Sequence, residues 1–158
     1  MRRTATVLLV ITALVAAALA VPAVAGTQFT TLRSTLVGDG DADGSGSALL
    51  QIDTKTTFAT ICHQIQLENV SRPITGGAIT VGESGEIVGR LIIFNDQGGT
   101  LEGCTGQLGI KNRDLKRIQM DPGSHFLHLY NAEHPCDIFG AGRVCPQGAV
   151  IGQLEGVG

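Results

Sequence analysis

The stretch NAEHPCDIFGAGRVC, residues 131–145, brings a glutamate, a histidine, an aspartate, an arginine and two cysteines close together. Residues of these types can bind a metal ion, take part in acid–base catalysis or form a disulfide. Glu133 and His134, together with His125 upstream, are candidate metal ligands. One interpretation is therefore a metal-binding protein or metal-dependent enzyme that uses His125, His134 and nearby carboxylates.

A second candidate site is the segment DGDADG, residues 39–44, which has the D-x-D-x-D-G form of a calcium loop. The carboxylates of Asp39, Asp41 and Asp43 are two residues apart and can converge on a hard cation. The twelfth position counted from Asp39 is Leu50, however, where an EF-hand needs a bidentate glutamate. We therefore interpret the segment as a solvated β-turn, with a calcium-stabilised surface protein that uses the Asp39–Asp43 loop as an alternative.

The remaining reactive side chains do not form a catalytic set. The sequence contains no G-x-S-x-G motif. His125 and His128 are an odd number of residues apart, so they point to opposite faces of a strand. His63 falls on the apolar face of an alternating segment, which predicts a core histidine rather than a catalytic base. We predict no enzymatic activity and no cofactor.

The segments that must position these residues read mainly as short strands. Residues 56–70 alternate, with Ala59, Ile61, His63, Ile65 and Leu67 on one face, as in a half-buried antiparallel strand. Strands are also predicted at 27–37, 48–53, 78–82, 86–94, 124–131 and 148–154, and a single helix at 112–123. We predict an all-β fold, an immunoglobulin-like or Greek-key β-sandwich with one short helix.

The N-terminus has the layout of a secretory signal peptide. A basic start, MRR, precedes the apolar run TATVLLVITALVAAALAVPAVA, and Ala23-Val24-Ala25 supplies the small residues of a cleavage site. We predict a signal peptide over residues 1–25, a single domain over 26–158 and a secreted or cell-envelope location. An uncleaved membrane anchor is the alternative.

The composition of the predicted mature domain limits its partners. Loss of Arg2 and Arg3 with the signal leaves 9 Lys and Arg against 14 Asp and Glu, a net charge of −5. This charge argues against nucleic acid and anionic membranes as partners. Four cysteines remain, at positions 62, 104, 136 and 145. An even number in a small exported domain predicts disulfides, and the spacing by itself leaves three pairings open.

Several segments together resemble the CHRD (chordin-type) domain. They are LLQID, TICHQIQLENV, the helix end DPG, the strand and turn SHFLHLYNAEHP, and the closing GAVIGQLEG. The family has a strand like L-C-Y-E-L, a helix ending N-P-G, then Y-V-N-V-H-T-A-E-H-P and G-A-I-R-G-Q-L. The resemblance covers roughly residues 30–156. It implies a non-enzymatic binding or structural module, with an unidentified extracellular protein or cell-surface ligand as its partner.

The chain departs from the family pattern where that pattern carries histidines. Ala78 and Thr80 stand in place of an H-x-H segment, and Tyr130 stands in place of the histidine of V-N-V-H. Ile151 replaces the arginine of the closing motif. The resemblance therefore implies the family fold but no histidine-based site at these positions.

The resemblance also implies a disulfide pattern. In the family, A-E-H-P passes almost directly into G-A-I-R-G-Q-L, whereas here the insert CDIFGAGRVCPQ separates the two motifs. We predict that Cys136 pairs with Cys145 to close this insert and that Cys62 pairs with Cys104. The apolar pair Ile138-Phe139, with Arg143, is then predicted to be an exposed binding loop.

Overall fold

The computed structural model describes residues 29–53, 60–83, 85–93, 96, 98–105, 110–138 and 147–157. Eight strands lie in these ranges: β1 (Phe29–Gly38), β2 (Ser45–Asp53), β3 (Thr60–Glu68), β4 (Ile74–Val81), β5 (Ile87–Leu91), β6 (Leu101–Thr105), β7 (His125–Asn131) and β8 (Val150–Gly156). One α-helix, α1 (Asn112–Met120), is followed by a 3-10 turn over Pro122–Ser124. The all-β class with one short helix is thus confirmed.

The strands form one continuous sheet in the order β5-β4-β7-β8-β1-β2-β3-β6, and all neighbouring pairs are antiparallel. The two ends of the sheet approach each other. The backbone N–H of Ile92, just after β5, donates a 2.9 Å hydrogen bond to Oγ1 of Thr105 at the end of β6. The sheet is therefore nearly closed into a barrel. The two separate sheets of a Greek-key sandwich are not confirmed, because hydrogen bonding joins all eight strands.

The interior of the barrel is filled by one face of each strand. In β3, Ile61, His63 and Ile65 are buried, while Gln64 and Gln66 face solvent. This alternation confirms the pattern predicted from sequence. His63 is 5% exposed and belongs to the core as predicted.

Helix α1 packs on the barrel near the gap between its two edge strands. Its apolar residues Leu115 and Ile118 are three positions apart and fully buried in the main core. Ile110, just before the helix, forms an isolated antiparallel bridge with Gly89 of β5. The helix thus supplies apolar surface where the sheet does not complete its own hydrogen bonding.

Strand β6 was not predicted from sequence. Residues 101–105 read LEGCT, which contains a glycine and no alternating apolar pattern. Pairing with β3 and the bond between Cys62 and Cys104 place this segment in the sheet. Within the described ranges, no helix has the length and apolar character needed to cross a membrane.

Candidate functional site

The turn between β1 and β2 is held against the start of β8. The backbone N–H groups of Asp39 and Asp41 both donate to the carbonyl of Ala149 at 3.0 Å, and that of Gly40 donates to Gly148 at 2.7 Å. The Asp39 carboxylate accepts the N–H of Gly148 at 2.7 Å. The Asp-Gly turn is therefore fixed by the residues that lead into the closing motif.

These contacts do not support the alternative reading of the segment as a calcium loop. Asp39 binds the backbone of Gly148, Oδ2 of Asp41 accepts the N–H of Ser71 at 2.9 Å, and the side chain of Asp43 is exposed. The three carboxylates do not form a metal-sized cluster among the described residues. The physical reason is that a closed β-turn directs its alternate side chains to different neighbours.

Asn131, the last residue of β7, organises the NAEHP stretch. Its Oδ1 accepts the backbone N–H groups of Glu133 at 3.1 Å and His134 at 2.8 Å. Its Nδ2 donates to Oδ2 of Asp41 at 3.1 Å and to the carbonyl of Ser71 at 2.9 Å. One buried amide thus joins the turn after β7 to the turn between β1 and β2.

Three potential ligands meet at this junction. Nε2 of His134 lies 3.5 Å from Oδ1 of Asp41, and one ligand atom from each of Asp41, Glu133 and His134 lies within 4.8 Å of the other two. The ring of His134 lies directly over Gly40, where a Cβ atom would come within 2.3 Å of it. Gly40 is therefore needed for the close approach of His134 to Asp41.

The structure does not bring together His125 and His134, the ligands of the alternative metal site. His125 is the first residue of β7, and His134 follows the end of that strand, so the two lie at opposite ends of it. His125 is buried, with Nδ1 2.7 Å from the carbonyl oxygen of Asp121. Asp41 takes its place beside His134, and only the order of strands in the sheet brings these two residues together.

The positions where the CHRD pattern has histidines lie together on the outer face of β4 and β7. Ala78 pairs with His128 in the register, and Gly76 pairs with Tyr130. The Thr80 hydroxyl donates to the carbonyl of Gly82 at 2.6 Å, so its oxygen is free to accept from Nε2 of His128 at 3.1 Å. The rings of His128 and Tyr130 are parallel, with centroids 6.2 Å apart.

Both rings in this outer cluster are electrically neutral at neutral pH. Burial lowers the pKa of His128, and the negative charge of Asp39 offsets only part of this effect. Burial, with a further contribution from Asp39, raises the pKa of Tyr130 to about 12. A histidine that resists protonation and a tyrosine that resists ionisation do not form an acid–base pair at physiological pH.

Ile138, three residues after the NAEHP stretch, covers part of this outer cluster. Ile138 is 7% exposed and packs with Ala78, Ile87 and Tyr130. The prediction of Ile138 as an exposed contact residue is therefore wrong, because the side chain fills a second, smaller core on the outside of the barrel. Phe139, Arg143 and Cys145 lie outside the described residues, and with them the predicted Cys136–Cys145 pairing.

The other predicted disulfide joins the last two strands at the β6 end of the sheet. Cys62 of β3 and Cys104 of β6 are direct partners in the antiparallel register, and their sulfur atoms are bonded. This is the pairing that the CHRD resemblance implies. It attaches the short edge strand β6 to the rest of the sheet.

Comparisons with known proteins found no match for this chain. No protein-family model matches the chain, and neither a curated protein nor a solved structure matches it.

Proposed function

We propose that the protein is an exported, single-domain CHRD-like module with a binding or structural role rather than a catalytic one. In this proposal residues 1–25 are a signal peptide and residues 26–158 form the module. The fold that the proposal expects of the family, an immunoglobulin-like or Greek-key sandwich, is compatible with the all-β class of the domain, whose eight strands form one sheet. Its partner is an extracellular protein or cell-surface ligand.

The observation that supports this proposal best is that the motif residues hydrogen-bond to one another across separate segments of the chain. The NAEHP and GAVIGQL motifs meet the Asp-Gly turn in one hydrogen-bonded network through Asn131, Asp41, Gly148 and Ala149. These residues hold three separate segments together, which is the role expected of a shared structural motif. Catalytic residues would instead converge on a substrate-sized cleft.

The metal-dependent enzyme, the alternative from sequence, has less support. Its ligand pair, His125 and His134, is separated by the length of β7. Three of the four histidines, His63, His125 and His128, are no more than 5% exposed and cannot meet a substrate without local opening.

Export and maturation can be tested on the full chain. The protein, with a C-terminal affinity tag, is expressed in a bacterial host, and the extracytoplasmic fraction is analysed by intact-protein mass spectrometry without reduction. We expect a chain that begins at Gly26, with all four cysteines oxidised. Ala25→Asp, which removes a small residue from the cleavage site, is the matched control and should retain residues 1–25.

Recovery of the wild-type protein only from the cytoplasm, with reduced cysteines, would contradict the proposal. The binding or structural role is tested in a separate experiment, on intact cells of the native host. Lys111 and Lys116 are exposed and accessible to an amine-reactive cross-linker applied to intact cells of the native host. A module embedded in the envelope should appear as higher-mass adducts, and exclusive recovery of the uncross-linked monomer would argue against the role.

A further inference from the structure

The cluster of Asp41, Glu133 and His134 differs from the rest of the polar interior because solvent can reach it. The side chain of His134 is 26% exposed, and Glu133 is exposed. The other three histidines are between 1% and 5% exposed. An ion arriving from solution can therefore meet the imidazole of His134 without unfolding of the domain.

The distance between the two inner donor atoms suits two ligands of one ion. Nε2 of His134 and Oδ1 of Asp41 are 3.5 Å apart, beyond the usual range of a direct N–H···O hydrogen bond. Two ligands of a tetrahedral zinc ion, each about 2.0–2.1 Å from the metal, lie about 3.3 Å apart. A small movement of either side chain would bring both atoms into coordination.

Asp41 contributes a second, independent observation. Its side chain is only 9% exposed, and its Oδ2 already accepts two hydrogen bonds, from Ser71 and Asn131. Within the described ranges, Oδ1 has no hydrogen-bond donor and has only His134 at 3.5 Å facing it. A cation bound between this oxygen and Nε2 of His134 would have a ligand atom from each of the two side chains.

The surrounding residues hold the ligands in place before any ion binds. Asn131 fixes Oδ2 of Asp41 with one end of its amide and the backbone of Glu133 and His134 with the other. Gly40 leaves the space that the ring of His134 occupies. In protein metal sites, hydrogen bonds from neighbouring residues to the ligands usually fix the orientation of those ligands.

We propose that Asp41, Glu133 and His134 bind one divalent transition-metal ion, with Zn²⁺ as the best fit, and that the ion clamps the β1–β2 turn to the end of β7. One imidazole and two carboxylates are typical Zn²⁺ ligands, and solvent completes the coordination on the open side. Ca²⁺ fits poorly because it takes six to eight oxygen ligands. This inference goes beyond the proposed function and does not depend on export or on the CHRD relation.

The test is a titration of the purified, chelator-treated protein with ZnCl₂, followed by calorimetry and by thermal unfolding. We expect one Zn²⁺ per chain and a melting temperature that rises with Zn²⁺ concentration, because the ion binds only the folded state. His134→Ala and Asp41→Asn should each weaken binding about 100-fold or more. Glu68→Gln, at an exposed acid on β3, is the control and should bind as the wild type does.

Gly40→Ala provides a variant that keeps all three ligands. Its added methyl group displaces the ring of His134, so Zn²⁺ binding should fall about 10–100-fold. Gly123→Ala, where the new Cβ atom meets only the end of Gln153 at 3.8 Å, should leave binding unchanged. Circular dichroism of each metal-free variant separates a lost site from a lost fold.

Two results of the Zn²⁺ titrations would overturn the inference. One is no heat and no thermal shift at millimolar Zn²⁺ with folded wild-type protein. The other is Zn²⁺ binding that persists in folded His134→Ala and Gly40→Ala, which would place the ion elsewhere. A response to CaCl₂ but not to ZnCl₂ would equally contradict the assignment. None of these results would bear on where the protein is exported or how its signal is cleaved.

Discussion

The side-chain amide of Asn131 connects several segments of this domain. Its amide donates twice and accepts twice, and its four partners belong to three segments of the chain. Aspartate has the same shape but cannot donate, and it would place a second carboxylate against Asp41. Asn131 is 1% exposed, so water does not replace a lost partner easily.

We expect Asn131→Ala to lower the free energy of unfolding by about 2–4 kcal/mol, because it leaves buried polar groups unpaired. Asn131→Asp should be at least as damaging at neutral pH, since it adds charge repulsion to the lost donors. Urea unfolding measures both effects. Gln66→Ala, at an exposed position of β3, should change stability by less than about 0.5 kcal/mol. A similarly small loss in Asn131→Ala would mean that the network is not structural.

Strand β6, like β5 at the other end of the sheet, has only one neighbouring strand. It has five residues, sits at one end of the sheet and pairs with β3 alone. The disulfide from Cys104 to Cys62 therefore supplies an attachment that a second neighbouring strand gives to the six inner strands. The nearby cross-strand pair, Gln64 and Glu102, is joined only by an exposed 2.8 Å hydrogen bond.

Replacement of both cysteines, Cys62→Ser with Cys104→Ser, should lower the free energy of unfolding. The two residues are 42 positions apart, and closing a loop of that length restricts the unfolded chain by up to about 4 kcal/mol. Hydrogen exchange should then accelerate most in β6. The matched control, Gln64→Ser with Glu102→Ser on the same two strands, should cost less than about 1 kcal/mol. Equal losses in the two double variants would show that the disulfide adds nothing to strand pairing.

The domain as a whole carries two histidines that burial keeps neutral. His63 shares the inner face of β3 with Ile61 and Ile65, while His128 lies on the outer face of the sheet beside Thr80 and Tyr130. Burial lowers the pKa of each below the ordinary histidine value of 6.5. The unfolded chain therefore binds protons in mildly acidic solution that the folded chain does not.

Stability should be full above pH 6.5 and should fall as the pH drops through 6.5 toward the lowered pKa values of the folded state. Each histidine contributes a slope of at most about 1.4 kcal/mol per pH unit in that window. Urea unfolding at pH 7.5, 6.5 and 5.5 measures the slope. The double variant His63→Gln with His128→Gln should flatten it, and an unchanged slope would show that other groups carry the dependence.

The local pattern of residues was enough to predict several elements. Apolar residues two apart predicted β3 and the burial of His63, because a strand in a half-buried sheet alternates its faces. The predicted helix at 112–123 corresponds to α1, which ends at Met120 before Pro122. Strand β6 could not be predicted, because LEGCT has no alternating apolar pattern. The segment forms a strand only by pairing with β3.

The sequence by itself determined which segments alternate, where the helix stops and which residues carry chemical groups. The tertiary structure alone decided which of those groups meet. Strands β1 and β7 run in the same direction because each is antiparallel to β8 between them. Their C-terminal ends therefore lie at one end of the barrel, and Asp41 after β1 comes to face His134 after β7. Spacing along the chain cannot show such a meeting, because strand order in a sheet depends on contacts between distant segments.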